Sequence, residues 1–311
     1  MEDFIFHEGP VPSRYSFSFT ESLFNQRAHR QLQSESDWHS FYILNQKSYT
    51  VDGAVHFHLR NGIAQSPFRA AHGGFNLREG LEREIILSFV KFTEQQLRKS
   101  RATKILIKLP LRLSDENEFS LTEDILRTIG FQISKKEEGC ILRVTESFDD
   151  RIHYSKKKRL KKTTRSNFQF SSVDIGELKG VYLFLLKCRR EKGYELSMSL
   201  EEISDLASQL PDKILLFAVK DGEQLVAASI CIRISNEVLY DFYHDHAAFY
   251  DDYSPIVFLV KGIHDYCYSN HIPLIDLGTA MIGDKVNTGL LEFKLKLGAD
   301  HAVKYSFEKI V

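Results

Sequence analysis

Several features are scarce in this chain of 311 residues, and each scarcity excludes a class of protein. No apolar stretch approaches the roughly 20 residues that a membrane span needs, and the opening Met-Glu-Asp lacks the basic and apolar segments of a signal peptide. A formal net charge of -1 argues against bulk attraction to nucleic acid or an anionic membrane. We therefore expect a cytoplasmic protein. The few cysteines form no C-x-x-C pair, and we interpret them as reduced core residues: Cys140, Cys188, Cys231 and Cys267.

The remaining composition is that of a globular protein. Hydrophobic residues make up 43% of the chain and charged residues 27%, and 23 Phe and 13 Tyr supply bulky side chains for a core. A chain of this length can form one large domain or two medium domains, each with its own core.

The order of predicted elements is repeated once along the chain. In the first half we predict strands at 38–44 and 51–59, a helix from 81, a strand at 104–109, a helix from 120 and strands near 131–133 and 140–144. In the second half we predict strands at 214–219, 225–234 and 237–244, a helix from 254, a strand at 274–277, a helix from 287 and a strand at 301–307. Corresponding elements start about 170 residues apart, which indicates an internal duplication.

The predicted boundary between the halves lies near residue 148. Residues 1–148 would form the N-terminal unit, and residues 149–311 the C-terminal unit, beginning with a basic connector helix. Two further helices are predicted at 181–190 and 200–210, the second with Ser199 as its cap. Ser120-Leu-Thr-Glu123 is the pattern of a capping box. Residues 1–35 carry no pattern that we interpret.

The segment 273–301 carries a family resemblance. Its pattern Asp276-Leu-Gly, Asn287-x-Gly-Leu, Phe293-Lys294, Leu297-Gly-Ala resembles the closing segment of the GNAT acyltransferase superfamily. The closer resemblance is to its double-domain branch, the Fem-type aminoacyl transferases of peptidoglycan synthesis. This implies an α/β (α+β) protein of two tandem GNAT-like mixed-sheet units. It also implies N-acyl or aminoacyl transfer to an amine of a cell-envelope precursor or small molecule.

The resemblance leaves the acyl donor open between acyl-CoA and aminoacyl-tRNA. In a GNAT fold the carrier pyrophosphate meets the start of the helix that here begins at Ser254-Pro255, where the helix dipole favours anions. The glycine-rich coenzyme A signature is missing there, and Asp251 and Asp252 would repel a pyrophosphate. We therefore expect weak coenzyme A binding, with Ser254 and Asn287 as candidate carrier contacts. The alternative is a non-catalytic binding protein that retained the duplicated fold.

Five residues are candidates for catalysis: Lys294, Asp276, His244, Asp245 and Tyr253. The resemblance places Lys294 near the reacting ester, where an ammonium can stabilise an oxyanion; the alternative is a surface helix residue. Asp276 ends a buried strand and could orient an amine or cap the following loop. The last three would act as acid or base on the strand and loop that border the cleft, although an aromatic strand is commonly core.

Candidate substrate contacts come from both halves. The resemblance implies that Phe293 lies near the reaction centre, and alternation places Tyr243 on the same strand face as Asp245. In the first half, Ser66-Pro-Phe-Arg-Ala-Ala-His-Gly-Gly74 resembles a Fem-type loop, within which Arg69 and His72 would suit an anionic group. The alternative for Ser66, Arg69 and His72 is a structural turn.

Two further patterns bear on partners. His56 and His58 share a strand face, as do His244 and His246, but zinc needs three or four ligands; we expect no metal. The segment 153–165 holds seven Lys or Arg in 13 residues. The cluster at 156–165 could hold tRNA or another phosphorylated ligand, or it could be a solvated helix face.

Overall fold

The computed structural model describes residues 3–114, 120–163 and 167–311. The chain divides into two compact units. Unit 1 comprises residues 1–137 and 303–311, and unit 2 comprises residues 138–302. The predicted boundary at residue 148 differs from this division by about ten residues, and the last nine residues belong to unit 1 because they pair with its sheet.

Unit 1 is built mainly from elements of the first half of the sequence. Its strands are β1 (Phe4–Glu8), β2 (Ser16–Phe17), β3 (Trp38–Asn45), β4 (Thr50–Arg60), β5 (Ile63–Ser66), β6 (Asn76–Leu77), β7 (Lys104–Lys108) and β8 (Arg112–Leu113). Its helices are α1 (Arg27–Gln33), α2 (Arg83–Lys99) and α3 (Leu121–Thr128). Strand β9 (Gln132–Arg143) follows and is one continuous strand, where the sequence predicted two, because its charged middle section is still extended.

Unit 2 contains five helices and most of the remaining strands. The helices are α4 (Tyr154–Thr163), α5 (Leu178–Glu191), α6 (Leu200–Gln209), α7 (Pro255–Ser269) and α8 (Thr288–Lys296). The strands are β10 (Phe168–Val173), β11 (Ile214–Asp221), β12 (Gln224–Arg233), β13 (Val238–His246), β14 (Leu274–Thr279), β15 (Met281–Ile282) and β16 (Lys285–Val286). The chain ends in β17 (Asp300–Ile310).

The predicted duplication is confirmed by the sheet topology. The main strands of unit 1 follow the order β1-β3-β4-β5-β7-β17, and those of unit 2 the order β10-β11-β12-β13-β14-β9. In both series three antiparallel pairings precede one parallel and one antiparallel pairing. The last strand of each sheet comes from the other half of the sequence. The fold is therefore two tandem GNAT-like mixed-sheet units.

Local sequence signals account for many of the helix starts. The Ser120–Glu123 capping box is present at α3, and Ser199 forms a second one with Glu202 at α6. Each box satisfies two backbone N–H groups that a helix start leaves without partners. Among the described residues no helix has the length and apolarity needed to cross a membrane.

Each sheet buries one face against its long helix. In unit 1 the core includes Phe41, Phe57 and Phe89, and in unit 2 it includes Phe217 and Val257. Helix α7 approaches β10 so closely that a Cβ at Gly262 would lie 2.2 Å from the ring of Phe170. All four cysteines are buried and unpaired, as expected for core residues.

Candidate functional site

A groove of about 560 Å³ opens in unit 2 where β13 and β14 separate. The two strands pair in parallel only from Val238 to Tyr240 against Leu274 to Asp276 among the pairings described, whereas β13 extends to His246. This groove, called the unit 2 groove below, is lined by Lys156, Arg159, Arg189, Lys192, Tyr194, His244, Asp245, His246, Asp251, Ser254, Ile256, Val257, Met281, Ile282, Asn287, Leu290 and Phe293.

The start of helix α7 faces this groove. Ser254 precedes the helix, as predicted, and Pro255 takes the first helical position, where a missing N–H costs nothing. Ser254 adopts a left-handed conformation, with φ of 52°, and its hydroxyl accepts a 2.7 Å hydrogen bond from Arg159 instead of capping the helix. Because Ser254, Ile256 and Val257 line the groove, it meets the partially positive end of α7.

The charges around the groove bear on the expectation that Asp251 and Asp252 weaken coenzyme A binding. Four cationic side chains line it, against two carboxylates, those of Asp245 and Asp251. Asp251 accepts a 2.7 Å hydrogen bond from His246 Nε2, and Asp252 is not among the lining residues described. Asp251 therefore lines a surface on which cations outnumber carboxylates, which favours an anionic ligand, and weak coenzyme A binding stays a prediction.

A histidine–aspartate pair lies at the strand separation. His244 Nδ1 is 2.6 Å from Asp241 Oδ2, and the other oxygen of Asp241 accepts a 2.7 Å hydrogen bond from Ser229. Burial alone would raise the pKa of Asp241, but the charge and hydrogen bond of His244 and the hydrogen bond of Ser229 outweigh it and lower that pKa. Asp241 is therefore a carboxylate beside Nδ1, and in the neutral tautomer of His244 whose Nδ1 carries the proton, Nε2 has the free lone pair.

The sequence did not reveal Asp241, because residues three apart on a regular strand point to opposite faces. A register shift interrupts β13: Tyr243 lies opposite Ile230, and Asp241 lies opposite Cys231, so Phe242 is an extra residue. Such a bulge turns the following side chains and is common beside active sites. The only signal for this pair in the sequence was a histidine close to an acidic residue. Regular strand alternation placed the two side chains on opposite faces.

Asp245 is buried and fully engaged. Its Oδ1 is 2.5 Å from Lys192 Nζ and accepts from the backbone N–H of His246, and its Oδ2 is 3.3 Å from Arg189 Nε. Two cations from the end of helix α5 therefore surround the carboxylate that the sequence offered as a base. This arrangement favours a charged structural role over proton transfer by Asp245.

Lys294 is buried, with 4% of its surface exposed. Its ammonium donates to the backbone carbonyls of Gly278 and Thr279, at 3.1 and 3.0 Å, just after Asp276 on β14. Burial lowers the pKa of Lys294, while the charges of Asp276 and Asp241 act in the opposite direction. Asp276 accepts a 2.7 Å hydrogen bond from the N–H of Gly278, and so caps the loop that Lys294 also holds.

The remaining unit 2 candidates are divided between groove and core. Phe293 lines the groove and lies under Lys156, whose Nζ is 4.0 Å from the ring centroid. Asn287 also lines it, but its side chain caps α8 through the N–H of Leu290. Tyr243 is buried and its hydroxyl is held at residues 197–198. The carbonyl of Tyr253 accepts from Thr163, and its ring packs against Phe168.

Hydrogen bonds within unit 1 stabilise the loop 66–74. The hydroxyl of Ser66 accepts from the N–H of Gly74, and the backbone N–H of exposed Arg69 donates to the side chain of Gln33. His72 is buried edge-on against Phe24, and burial, reinforced by Lys304 and Lys108, lowers its pKa to about 3. A lowered pKa favours the neutral ring, so contact between His72 and an anionic group stays a prediction that would use an N–H donor in place of a positive charge.

Buried His72 predicts acid sensitivity. Between its unfolded pKa of 6.5 and its folded pKa of about 3, the unfolded chain binds a proton that the folded chain does not, so stability falls as pH falls. From pH 7 to pH 5, wild type should lose about 2 kcal/mol more than His72→Phe, as measured by urea unfolding. The exposed-histidine control His271→Asn should lose as much as wild type; an equal loss in His72→Phe would contradict the assignment.

The described part of the basic cluster, up to Thr163, lies in helix α4, and among those residues Lys156 and Arg159 line the groove. Burial lowers the pKa of Lys156 to about 8, and the charges of Arg159 and Lys296 act in the same direction. Lys162 donates to the carbonyl of Asp252, and Arg165 lies outside the described residues. Within the described ranges no group of three or more His, Cys, Asp or Glu side chains could hold a metal ion.

The fold defines the class of protein to which the chain is structurally similar, that of tandem GNAT-like mixed-sheet proteins. Among solved structures, FemX has a TM-score of 0.72 with 12% identity, over 93% of this chain and 92% of that chain. The C-terminal domain (DUF2156) of a putative lysylphosphatidylglycerol synthetase from Agrobacterium fabrum has a TM-score of 0.55 with 12% identity, over 91% and 87%. L-PGS from Bacillus licheniformis has a TM-score of 0.52 with 14% identity, over 82% and 80%.

Because the sequence identities are low, these similarities establish the fold alone. It is the fold that residues 273–301 predicted. No protein-family model matches the sequence, and no curated protein matches it. What the groove does is therefore argued from its own residues.

Proposed function

We propose that this protein transfers an acyl or aminoacyl group to an amine of a small molecule or cell-envelope precursor in the cytoplasm. The observation that carries the proposal is the His244–Asp241 pair inside a groove lined by cations and the start of α7. A base beside an anion-binding helix start is what transfer from a phosphate-bearing carrier requires. The similarity to FemX, and to the C-terminal domain of a putative lysylphosphatidylglycerol synthetase, supports a transferase role.

The carrier phosphates are assigned to the end of the groove formed by α4 and α7. Arg159 is tied to Ser254 at 2.7 Å, and Lys156 lies over Phe293, so both cations are held beside the helix start. Backbone N–H groups and fixed cations together make a phosphate site. Acyl-CoA and aminoacyl-tRNA both carry such phosphates, and the basic face of α4 gives tRNA additional contacts.

The chemistry needs one base and one leaving group. In the proposed step, His244 Nε2 takes a proton from the acceptor ammonium, and the freed amine nitrogen attacks the carbonyl carbon of the donor. The carbon–nitrogen bond forms, the carbon–sulfur or carbon–oxygen ester bond breaks, and the amine's second proton reaches the departing thiolate or alkoxide. Lys294 is assigned a positioning role, since its ammonium holds the two carbonyls at the end of β14.

Calorimetry tests the carrier site. With acetyl-CoA, and separately with an aminoacyl-tRNA, we expect the accepted donor to bind about 10-fold more weakly to Arg159→Gln than to wild type, because one charge-assisted contact is lost. Lys187→Gln also removes one positive charge, at an exposed residue of α5 that lies outside the groove lining described and outside the basic face of α4, and should bind normally.

The same titrations separate the two donor classes and the rival function. Binding of acetyl-CoA alone assigns acyl-CoA, and binding of aminoacyl-tRNA alone assigns the Fem-like donor. If neither donor binds wild type, the transferase proposal is wrong and the chain is a binding protein with a retained fold. Equal binding to Arg159→Gln and wild type would remove the carrier from this end of the groove.

A further inference from the structure

The unit 2 groove contains a second pair of cations, which come from helix α5 and not from α4. Arg189 and Lys192, at the end of helix α5, converge on Asp245 of β13, and all three line the groove. Two cations facing one carboxylate leave one net positive charge. An ordinary ion pair is neutral, whereas this group of three side chains has one positive charge left over. That charge can be neutralised by a ligand with a single negative charge.

Both cations have more N–H groups than hydrogen bonds to described residues. Lys192 uses one N–H for Asp245, and Arg189 donates from Nη2 to the carbonyl of His244 at 3.1 Å. Arg189 Nε is 3.3 Å from Asp245 but, among the described residues, makes no hydrogen bond of good geometry. A guanidinium has five N–H donors and an ammonium three. Because Arg189 Nε is buried, the donors available to a ligand in the groove are the remaining N–H groups of Arg189 and Lys192.

The position of this site beside the base suggests what the ligand is. The hydrogen bond from Arg189 to the carbonyl of His244 fixes the guanidinium next to the residue whose ring takes the proton. Arg forks recognise carboxylates through two parallel hydrogen bonds. A short molecule with a carboxylate held by Arg189 would bring its amine into the part of the groove where His244 lies.

We propose that Arg189 and Lys192 bind the carboxylate of the acceptor, so that the acceptor is a carboxylate-bearing amine, either a free amino acid or a short peptide. That the amine of this ligand is acylated rests on the proposed function. The binding of the carboxylate itself requires no acyl donor. Asp245 holds the two cations in place, which explains why a carboxylate fully surrounded by cations is retained in the groove.

Ligand-observed NMR and calorimetry test this with wild-type protein and no donor. The probes are the free amino acids and a set of dipeptides, each compared with its C-terminal amide. We expect at least one carboxylate form to bind about 10-fold or more tightly than its amide, the loss expected for one charge-assisted interaction. Binding by amino acids alone, or by dipeptides alone, identifies the source of the carboxylate.

Variants locate the binding. Arg189→Gln should weaken carboxylate binding about 10-fold or more, and Arg189→Lys should weaken it as well, because the charge stays but the fork is lost. Arg189→Lys keeps a cation beside Asp245, so it remains informative if Arg189→Gln is unstable. Lys187→Gln, on the same helix and 76% exposed at its side chain, is the control and should bind as wild type does.

The inference fails if amides bind as tightly as carboxylates, if Arg189→Lys binds as wild type does, or if no carboxylate probe binds at millimolar concentration. Transfer to amines that lack a carboxylate would overturn this inference while leaving the proposed transferase function intact. Conversely, carboxylate-specific binding without transfer from any donor would overturn the transferase function and leave this site standing.

Discussion

The variant His244→Asn is expected to fold normally and to transfer acyl groups about 10²–10⁴-fold more slowly than wild type, the usual contribution of a general base. Asparagine fills the space of the ring and can still donate to Asp241, but it cannot accept a proton from an ammonium. The measurement is the initial rate of product formation at saturating donor. His271→Asn is the matched control, since His271 is exposed and its φ of 55° suits asparagine.

The pairing of His244 with Asp241 gives a second readout for the same residue. Asp241→Asn removes the carboxylate that accepts from Nδ1, so the tautomer of His244 is no longer fixed, and the pH–rate profile of the residual activity should shift. A merely structural Asp241 would change stability without moving that profile. Full activity in His244→Asn would assign the proton transfer to another group and remove the main support for the proposed mechanism.

The sequence predicted the parts of the fold that depend on local signals and on repetition. The capping boxes at Ser120 and Ser199, the proline at the start of α7 and the period of about 170 residues were each visible without a structure. Strands β1 and β10 were missed, although both occupy the same place in the two sheets and both alternate Phe with another residue. Applying the period to that alternation would have found the pair.

The candidate site was less predictable, because its contacts depend on features that no local pattern encodes. The strand bulge at Phe242 brings Asp241 to His244, and helix α5 brings Arg189 and Lys192 to Asp245 across about fifty residues of sequence. Alternation also could not show that the last strand of each sheet comes from the other half of the chain. Burial changed the interpretation of His72 and Lys294, since charge in a sequence does not reveal how much solvent reaches it.

Lys294→Ala is expected to lower stability substantially, because Lys294 is buried and is not the surface helix residue that the sequence offered as the alternative. The substitution leaves the carbonyls of Gly278 and Thr279 without their donor, and each buried polar group without a partner costs about 1–3 kcal/mol. It also opens a cavity beside Cys140 and removes a cation that interacts electrostatically with Asp276 and Asp241. We expect a loss of about 2–5 kcal/mol and a fall in melting temperature of about 5–15 °C.

Calorimetric melting of Lys294→Ala and Lys294→Met separates the cavity from the lost hydrogen bonds. Methionine fills most of the space, so Lys294→Met should recover part of the stability but none of the carbonyl contacts. Lys296→Ala, two residues away and at the surface with Glu292, is the control and should melt within about 1 °C of wild type. Unchanged melting of Lys294→Ala would mean that the carbonyls find other donors, and Lys294 would then have to act on the substrate directly to explain any loss of rate.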